Sequence, residues 1–376
     1  MKYILKQFDT ELLSFEYVDQ GIRGQYCTNI QINKNHEHLL PIGLETTDAG
    51  IMSWLKRRII PKNREYVDVL LAKMGLSHSD TIGIIDICKG LSLIDSYWVV
   101  DENFDGKFSD YNLFDNNFKK ALSLIAYTGY GSINAKGFTS SPEFTTNGML
   151  KKAWRVKDGN ITLYKGGTSG AANTGNEPFS EFYSAQIAQV LGINHINYGL
   201  SKWKGNICST CELFTSKDVS YVQIYNFVKN RPIYEVSTFL KELGDEYYEA
   251  FADMIAFDCI ICNEDRHYGN FGLLVDNATN KPISFAPVFD NGLSLFNFGM
   301  PDDFKELSAY AKTRSSSYNI DFLTLAKEFI GPNQKSKLRK LINFKFTKHS
   351  SYNLPAYRLK AIEKFVQTRV LELLDM

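Results

Sequence analysis

No sign of charge prevails in this chain: its 376 residues carry 42 Lys and Arg against 42 Asp and Glu. A nucleic-acid footprint spread over the whole surface needs an excess of cations, so it is excluded, although a local basic patch is not. No direct nucleic-acid contact is expected. Any run of 18 apolar residues is also missing, and no membrane span is expected. The most apolar helical stretch, Phe251 to Cys262, is interrupted by Asp253 and Asp258. The apolar start Met1-Lys2-Tyr3-Ile4-Leu5 is broken by Lys6, Asp9 and Glu11, which leaves no secretory core. Internal repeats and low-complexity tracts are lacking as well.

Cysteine is scarce, at six residues, and four of them form two C-x-x-C pairs: Cys208 with Cys211, and Cys259 with Cys262. That spacing suits zinc. Cys259 and Cys262, however, end an apolar helical run, where thiols behave as small core residues. Cys208 and Cys211 lie in a strand-like segment, where positions three apart point to opposite faces. A shared metal site is therefore not expected, and reduced thiols fit a cytoplasmic location.

What the chain does have is apolar residues, 44% of the total, which is enough for real cores, and a length comfortable for two domains. Short strands are expected at Tyr3–Phe8, Ser14–Val18 and Gln25–Ile32. Helical spacing predicts a helix from Thr47 to Arg58 and a second from about Arg64 to Lys73, stopped by Gly75. None of this carries recognisable chemistry, and residues 1–135 read as an accessory region. Beyond it, Leu150–Val156 and Ile161–Lys165 flank Asp158-Gly159, a strong hairpin signal. A glycine-rich loop, Gly166 to Gly175, leads to a helix with Asn176 as N-cap, Pro178 in its first turn and Gly192 at its end. From about Phe227 the pattern is mostly helical. Strands first and helices later, joined near Cys211–Ser216, describe a bilobal α+β protein, with a strand-rich lobe at about 136–215 and a helical lobe at about 216–376.

The chemistry is concentrated in Cys262-Asn263-Glu264-Asp265-Arg266-His267-Tyr268-Gly269-Asn270-Phe271-Gly272. Asp265 and Asn270 are five apart, the spacing of the protein-kinase catalytic loop. There the Asp accepts the substrate hydroxyl proton and the Asn binds magnesium. One short loop must carry both, because the base touches the attacking oxygen while the amide touches a metal on the phosphates. A hairpin then reads at Phe271–Val275 and Pro282–Ala286, and it delivers Val288-Phe289-Asp290-Asn291-Gly292. A lone Asp–Asn pair is commonly a turn device; the order of base, Asn, hairpin and Asp-x-Gly is far more specific. Upstream, strand alternation puts Lys165 on the apolar face of Ile161 and Leu163, where a lysine needs an anion. ATP phosphates would supply one and a helix carboxylate another. Glu181 is the preferred partner, since Ala185 and Ala188 share its side, and Glu177 is the runner-up.

These segments together resemble HipA-like serine/threonine kinases. The Asp-Arg-His-x-x-Asn run also looks like the catalytic loop of phosphatidylinositol kinases, distant relatives by fold. The resemblance covers about residues 136–300. It implies a bilobal protein-kinase-like fold, with ATP and Mg²⁺ as cofactors. Asp265 would be the base, and Asn270 and Asp290 the metal ligands. Lys165 and Glu181 would serve the phosphates, with His267 lining the nucleotide. Glu212-Leu213-Phe214 matches the inter-lobe hinge whose backbone bonds adenine. The phosphate loop corresponds to Thr145–Lys152, with Gly148 and Lys152 as its contacts, although it has one glycine where the family has a Gly-Ala-Gln run. A hydroxyl in this region is autophosphorylated in the family, which points to Thr145, with Ser140 and Ser141 nearby.

The resemblance further implies a protein substrate, an aminoacyl-tRNA synthetase in related toxins, and an antitoxin-type DNA-binding partner. Nothing in the sequence itself names either. Two other functions compete. One is a lipid or small-molecule kinase on the same fold, disfavoured because no membrane-binding basic helix is evident. The other is a nucleotide-binding regulatory module without transfer, which would have no need of Asp265.

Overall fold

The computed structural model describes residues 1–21, 24–132, 140–171 and 173–376. The boundary expected near residue 135, and residues 137–139 of the hydroxyl-rich segment, lie outside the described residues. The chain is a mixed α+β protein that divides into two compact units. One comprises Met1–Tyr164, Leu213–Val222 and Leu274–Ile283; the other comprises Lys165–Glu212, Gln223–Leu273 and Ser284–Met376.

The first unit opens with β1 (Lys2–Gln7), β2 (Thr10–Asp19) and β3 (Gln25–Ile32), joined after a helical stretch by β4 (Tyr97–Asp101). They form an antiparallel sheet of order β3-β2-β1-β4. Alternate residues of β1 are buried, as the two-residue period of a half-covered strand demands. The covering helices are α1 (Asp48–Arg57), α2 (Val67–Ala72) and α3 (Thr81–Cys88), which pack Leu55, Leu71 and Ile85 against Leu5 and Phe15. Thr47 caps α1, its hydroxyl accepting from Gly50 N at 3.1 Å.

The second helix is shorter than helical spacing predicts. Tyr66 sits in the left-handed region at φ 65°, so α2 cannot begin before Val67, and Arg64 and Glu65 are left outside it. After α4 (Phe108–Tyr111) and α5 (Lys120–Thr128) comes the expected hairpin, β5 (Lys152–Lys157) and β6 (Asn160–Gly166). Its two-residue turn has positive φ at both Asp158 (51°) and Gly159 (85°), the conformation that Asp-Gly selects.

The second unit begins with α6 (Glu177–Leu191) and the antiparallel hairpin β7 (Gly199–Trp203) and β8 (Asn206–Glu212). Asn176 does not cap α6 with its side chain. Its amide instead donates to the carbonyls of Asn173 (3.0 Å) and Asn297 (2.8 Å). Strand β9 (Val219–Gln223) belongs to the first unit except for its last residue, and α7 (Tyr225–Val228), α8 (Ile233–Leu243) and α9 (Asp245–Ile261) follow in the second. The hairpin β10 (Gly272–Asp276) and β11 (Lys281–Phe285) falls within a residue of the expected one, and its residues 274–283 belong to the first unit. The chain ends in α10 (Leu307–Ala311), α11 (Phe322–Phe329), α12 (Pro332–Leu338) and the long α13 (Ala356–Asp375). Helix α9 is apolar on nearly all sides and runs through the core among Tyr183, Phe329, Ile362 and Val366. Among the described residues no helix is long and apolar enough to cross a membrane.

Candidate active site

Helix α9 delivers the loop that carries Asp265. It stops at Cys262, which adopts φ 48°, and the chain turns back so that Asn263 N donates to Asp258 O at 3.1 Å. Asn263 is fully buried. Its amide nitrogen donates to Asp258 (3.2 Å) and its oxygen accepts from Asp265 N (3.1 Å), which sets the entry of the loop. The loop closes on itself through His267 N to Asp265 O and Asn270 N to His267 O, each 2.8 Å. Asn270 Nδ2 then donates to Asp265 O at 2.8 Å and reaches its carboxylate at 3.4 Å. The five-residue spacing thus places the base candidate beside the amide. His267 is exposed, with Nδ1 accepting from Gly269 N at 2.9 Å. Burial raises the Asp265 pKa above the ordinary range. His267 and Lys165 oppose that shift and the Asp290 charge adds to it.

Arg266 holds this loop to the segment that carries Asp290. It is 1% exposed and pairs with Asp258 through Nε (2.9 Å) and Nη2 (3.1 Å). Its remaining donors go to the carbonyls of Asn270 (2.9 Å) and Phe289 and to the side chain of Asn291. Burial works against the Arg266 charge, but Asp258 outweighs it and raises the pKa. The Asp290 segment is also held from the other side. Val288 bridges in parallel to His195, with Val288 N donating to Asn194 O (2.9 Å) and Ile196 N to Val288 O (3.0 Å). Asp290 N donates to the Tyr198 hydroxyl at 3.1 Å, and Asp290 itself stands in the left-handed region at φ 54°. Such a conformation persists only where the surroundings impose it.

Lys165, at the end of β6, is buried between two carboxylates. Nζ donates to Glu181 Oε1 at 2.6 Å and to Asp290. Burial opposes its charge, yet Asp290 and Glu181 together outweigh burial and hold its pKa above the ordinary range. The Ser209 hydroxyl donates to the other Glu181 oxygen. Glu177 is engaged elsewhere, accepting from Thr168 N (3.1 Å) and Oγ1 (2.7 Å). Small residues let α6 come close: Ser180 Oγ donates to Ser294 O at 2.9 Å, and a Cβ on Gly292 would lie 3.3 Å from the Glu177 Cβ.

The donor set suits a hard divalent cation. Asp265 takes the Asn270 amide nitrogen, which orients that side chain and leaves Oδ1 as the atom for a metal. Asp290 adds a half-buried carboxylate, and magnesium is held by few protein oxygens together with phosphates.

The remaining sequence candidates, apart from Glu212, belong to the first unit. In the first unit, Gly148 is exposed with φ 94°, and a Cβ there would strike Lys152 Nζ. Lys152 Nζ donates to Asn147 O at 2.7 Å. Ser140, Ser141 and Thr145 are all buried, and their hydroxyls donate to Cys88 O (2.9 Å), the Glu143 carboxylate and Leu91 O (2.7 Å). Leu213 N donates to Ile161 O at 2.9 Å, and the ring of Phe214 lies against Tyr221. Glu212 is the exposed last residue of β8 in the second unit. Sequence reasoning gave no role to Asp258, Asn263, Arg266, Tyr198 or Ser209. Asp258 did carry a signal, since an acid inside an apolar helix needs a partner.

No family model matches the chain. It is similar to the serine/threonine-protein kinase CtkA of Helicobacter pylori strain J99, at 29% identity over 136 residues, which is 32% of this chain and 41% of that protein. The match therefore spans about two fifths of that curated relative's length. The solved CtkA structure superposes at a TM-score of 0.45 with 18% identity, over 61% of this chain and 90% of that one. HipA of the Shewanella oneidensis MR-1 toxin–antitoxin system, solved with HipB and operator DNA, superposes at a TM-score of 0.53 with 12% identity. That likeness covers 100% of this chain and 99% of the other. In fold the chain is HipA-like, and in sequence it is homologous to a serine/threonine kinase over about a third of its length.

Proposed function

We propose that this HipA-like chain is an ATP- and magnesium-dependent kinase that phosphorylates a serine or threonine hydroxyl of a protein. The observation that carries the reading is the frame around Arg266, which ties the Asp265–Asn270 loop to the Asp290 segment that Lys165 also engages. The name of one relative agrees with it: CtkA is a serine/threonine kinase.

Each residue then has a task. Asp265 receives the proton of the attacking hydroxyl, whose oxygen bonds to the γ-phosphorus as the bond to the β-phosphate oxygen breaks and ADP leaves. Its raised pKa makes it a stronger base than an exposed aspartate. Lys165, kept charged and oriented by Glu181, places a fixed cation at the phosphates. Asn270 and Asp290 would hold magnesium, which supplies neutralisation of charge on the phosphates. His267 lines the nucleotide, and Gly148 and Lys152 serve the phosphate loop. Adenine is met by the backbone of 212–214. The Leu213 amide already serves Ile161 O, so its own share of that contact falls to its carbonyl, which can accept more than one donor. A partner of the antitoxin type belongs to the same reading, in a cytoplasmic setting.

The test is phosphate transfer from labelled ATP by purified protein, followed by the same reaction in lysate to find the modified protein. Asp265→Asn is expected to bind ATP normally and to lose roughly 100-fold or more in transfer, since a general base acts on the transition state. A variant that keeps most of its activity removes Asp265 as the base. Wild-type protein that binds ATP and transfers nothing is a regulatory module.

A further inference from the structure

The N-terminal region shows no chemistry in its sequence, yet one of its residues holds the loop matched to phosphate binding. Arg64, in the turn before α2, is 3% exposed. Its Nε donates to Gly148 O at 2.6 Å, and its Nη2 donates to Asn147 O at 3.1 Å and to Thr146 O. The next residue continues the pattern, with Glu65 N donating to Met149 O at 2.9 Å. Four consecutive carbonyls, 146 to 149, are thus drawn toward one dipeptide. Among the described residues no carboxylate pairs with Arg64, and its Nη1 is buried without a hydrogen-bond partner. Burial lowers its pKa to about 10, with Glu143 opposing. A buried cation without a counter-ion is costly, and here it is spent on main-chain carbonyls.

Peptide geometry gives the arrangement a direction. In a planar trans peptide the N–H points opposite to the C=O. With the carbonyls of 146–149 turned to Arg64 and Glu65, the amides of Asn147, Gly148, Met149 and Leu150 point away. None of these four donates to a protein acceptor among the described residues, whereas the two amides just before them, Thr145 and Thr146, both serve Pro142 O. Successive unpaired amides form a concavity for anions. The loop has one glycine, and most of its residues would not hold such a shape unaided.

We infer that Arg64 is the positioning residue of the phosphate loop, fastening the carbonyls of Thr146, Asn147 and Gly148 so that the amides of 147–150 face a nucleotide's phosphates. The inference rests on the proposed ATP-binding function. It assigns to the N-terminal region a part in nucleotide recognition.

The experiment compares ATP with adenosine, which lacks phosphates, by calorimetry on full-length wild type, Arg64→Ala and Arg64→Lys. Arg64→Ala is expected to weaken ATP by about 10- to 100-fold, the scale set by misplacing binding groups, while adenosine affinity stays at the wild-type value. Arg64→Lys keeps the charge but loses the fork that spans three carbonyls, so it should fall between. It also serves as the readout if the alanine variant does not fold. Variants that bind ATP like wild type, or that lose ATP and adenosine equally, overturn the role of Arg64. Wild-type protein that binds neither molecule overturns the proposed function itself and this inference with it.

Discussion

Asp258 is the residue on which most of the site's frame converges, and it touches no reacting atom. It neutralises Arg266 inside the protein, and Arg266 in turn holds carbonyls on both functional loops. Replacing it by Asn keeps the shape and leaves the guanidinium buried without a counter-charge. Removing one partner of a buried pair costs about 3–5 kcal/mol, far more than the pair itself contributes against an apolar substitute. Asp258→Asn is therefore expected to lower the unfolding free energy by about that amount, read from chemical denaturation. An unchanged midpoint would mean that the carbonyl acceptors alone satisfy Arg266. Lys165 follows the same logic with two anions, which is why a lysine can stay charged where 7% of it is exposed.

At the scale of elements, the segment 140–146 is bound into the first unit by its own hydroxyls. Ser140 donates to the carbonyl of Cys88, the last residue of α3, and Thr145 to that of Leu91 beyond it, and Ser141 donates to Glu143, which also accepts from Ser123 Oγ (2.8 Å) and Trp154 N (3.3 Å). The proposed autophosphorylation of Thr145, Ser140 or Ser141 therefore requires the segment to leave this packing first. A phosphate carries up to two negative charges at neutral pH, and it could not return to these buried positions. The modified form would keep the phosphate loop displaced and bind ATP poorly. After incubation with Mg-ATP, mass spectrometry is expected to find phosphate on one of these three residues, in protein whose ATP affinity has fallen. Phosphate only at other positions, or full affinity in the modified form, would sink this proposal.

For the whole molecule, the proposed nucleotide binding would couple to stability. A ligand at 100 times its dissociation constant stabilises the state that binds it by about 2.7 kcal/mol. Mg-ATP is expected to raise the melting temperature of the wild type, and ATP with a chelator to raise it less. Asp290→Ala should lose the magnesium-dependent increment, because the carboxylate is one of two proposed metal ligands. A variant that keeps the increment moves the metal elsewhere in the molecule.

What the sequence by itself determined was local. Asp158-Gly159 makes its turn because both residues tolerate positive φ, Thr47 caps α1 through an amide three residues on, and Asp265 meets Asn270 because one loop carries both. Each depends on backbone torsions and contacts within a few residues, which composition and spacing encode. Where a local preference met a tertiary demand, it gave way. Tyr66 turns left-handed and shortens α2, and Asn176 donates to Asn297 instead of capping α6. Glu181 was read from the sequence as a partner for Lys165, but the more distant partners were decided by packing. Lys165 finds Asp290 125 positions away, and Arg64 reaches the Gly148 carbonyl across 84. A charge on an apolar face announces in the sequence that it needs a partner. Which partner it finds depends on the elements that bury it, because only the folded core makes an unpaired charge too costly to keep.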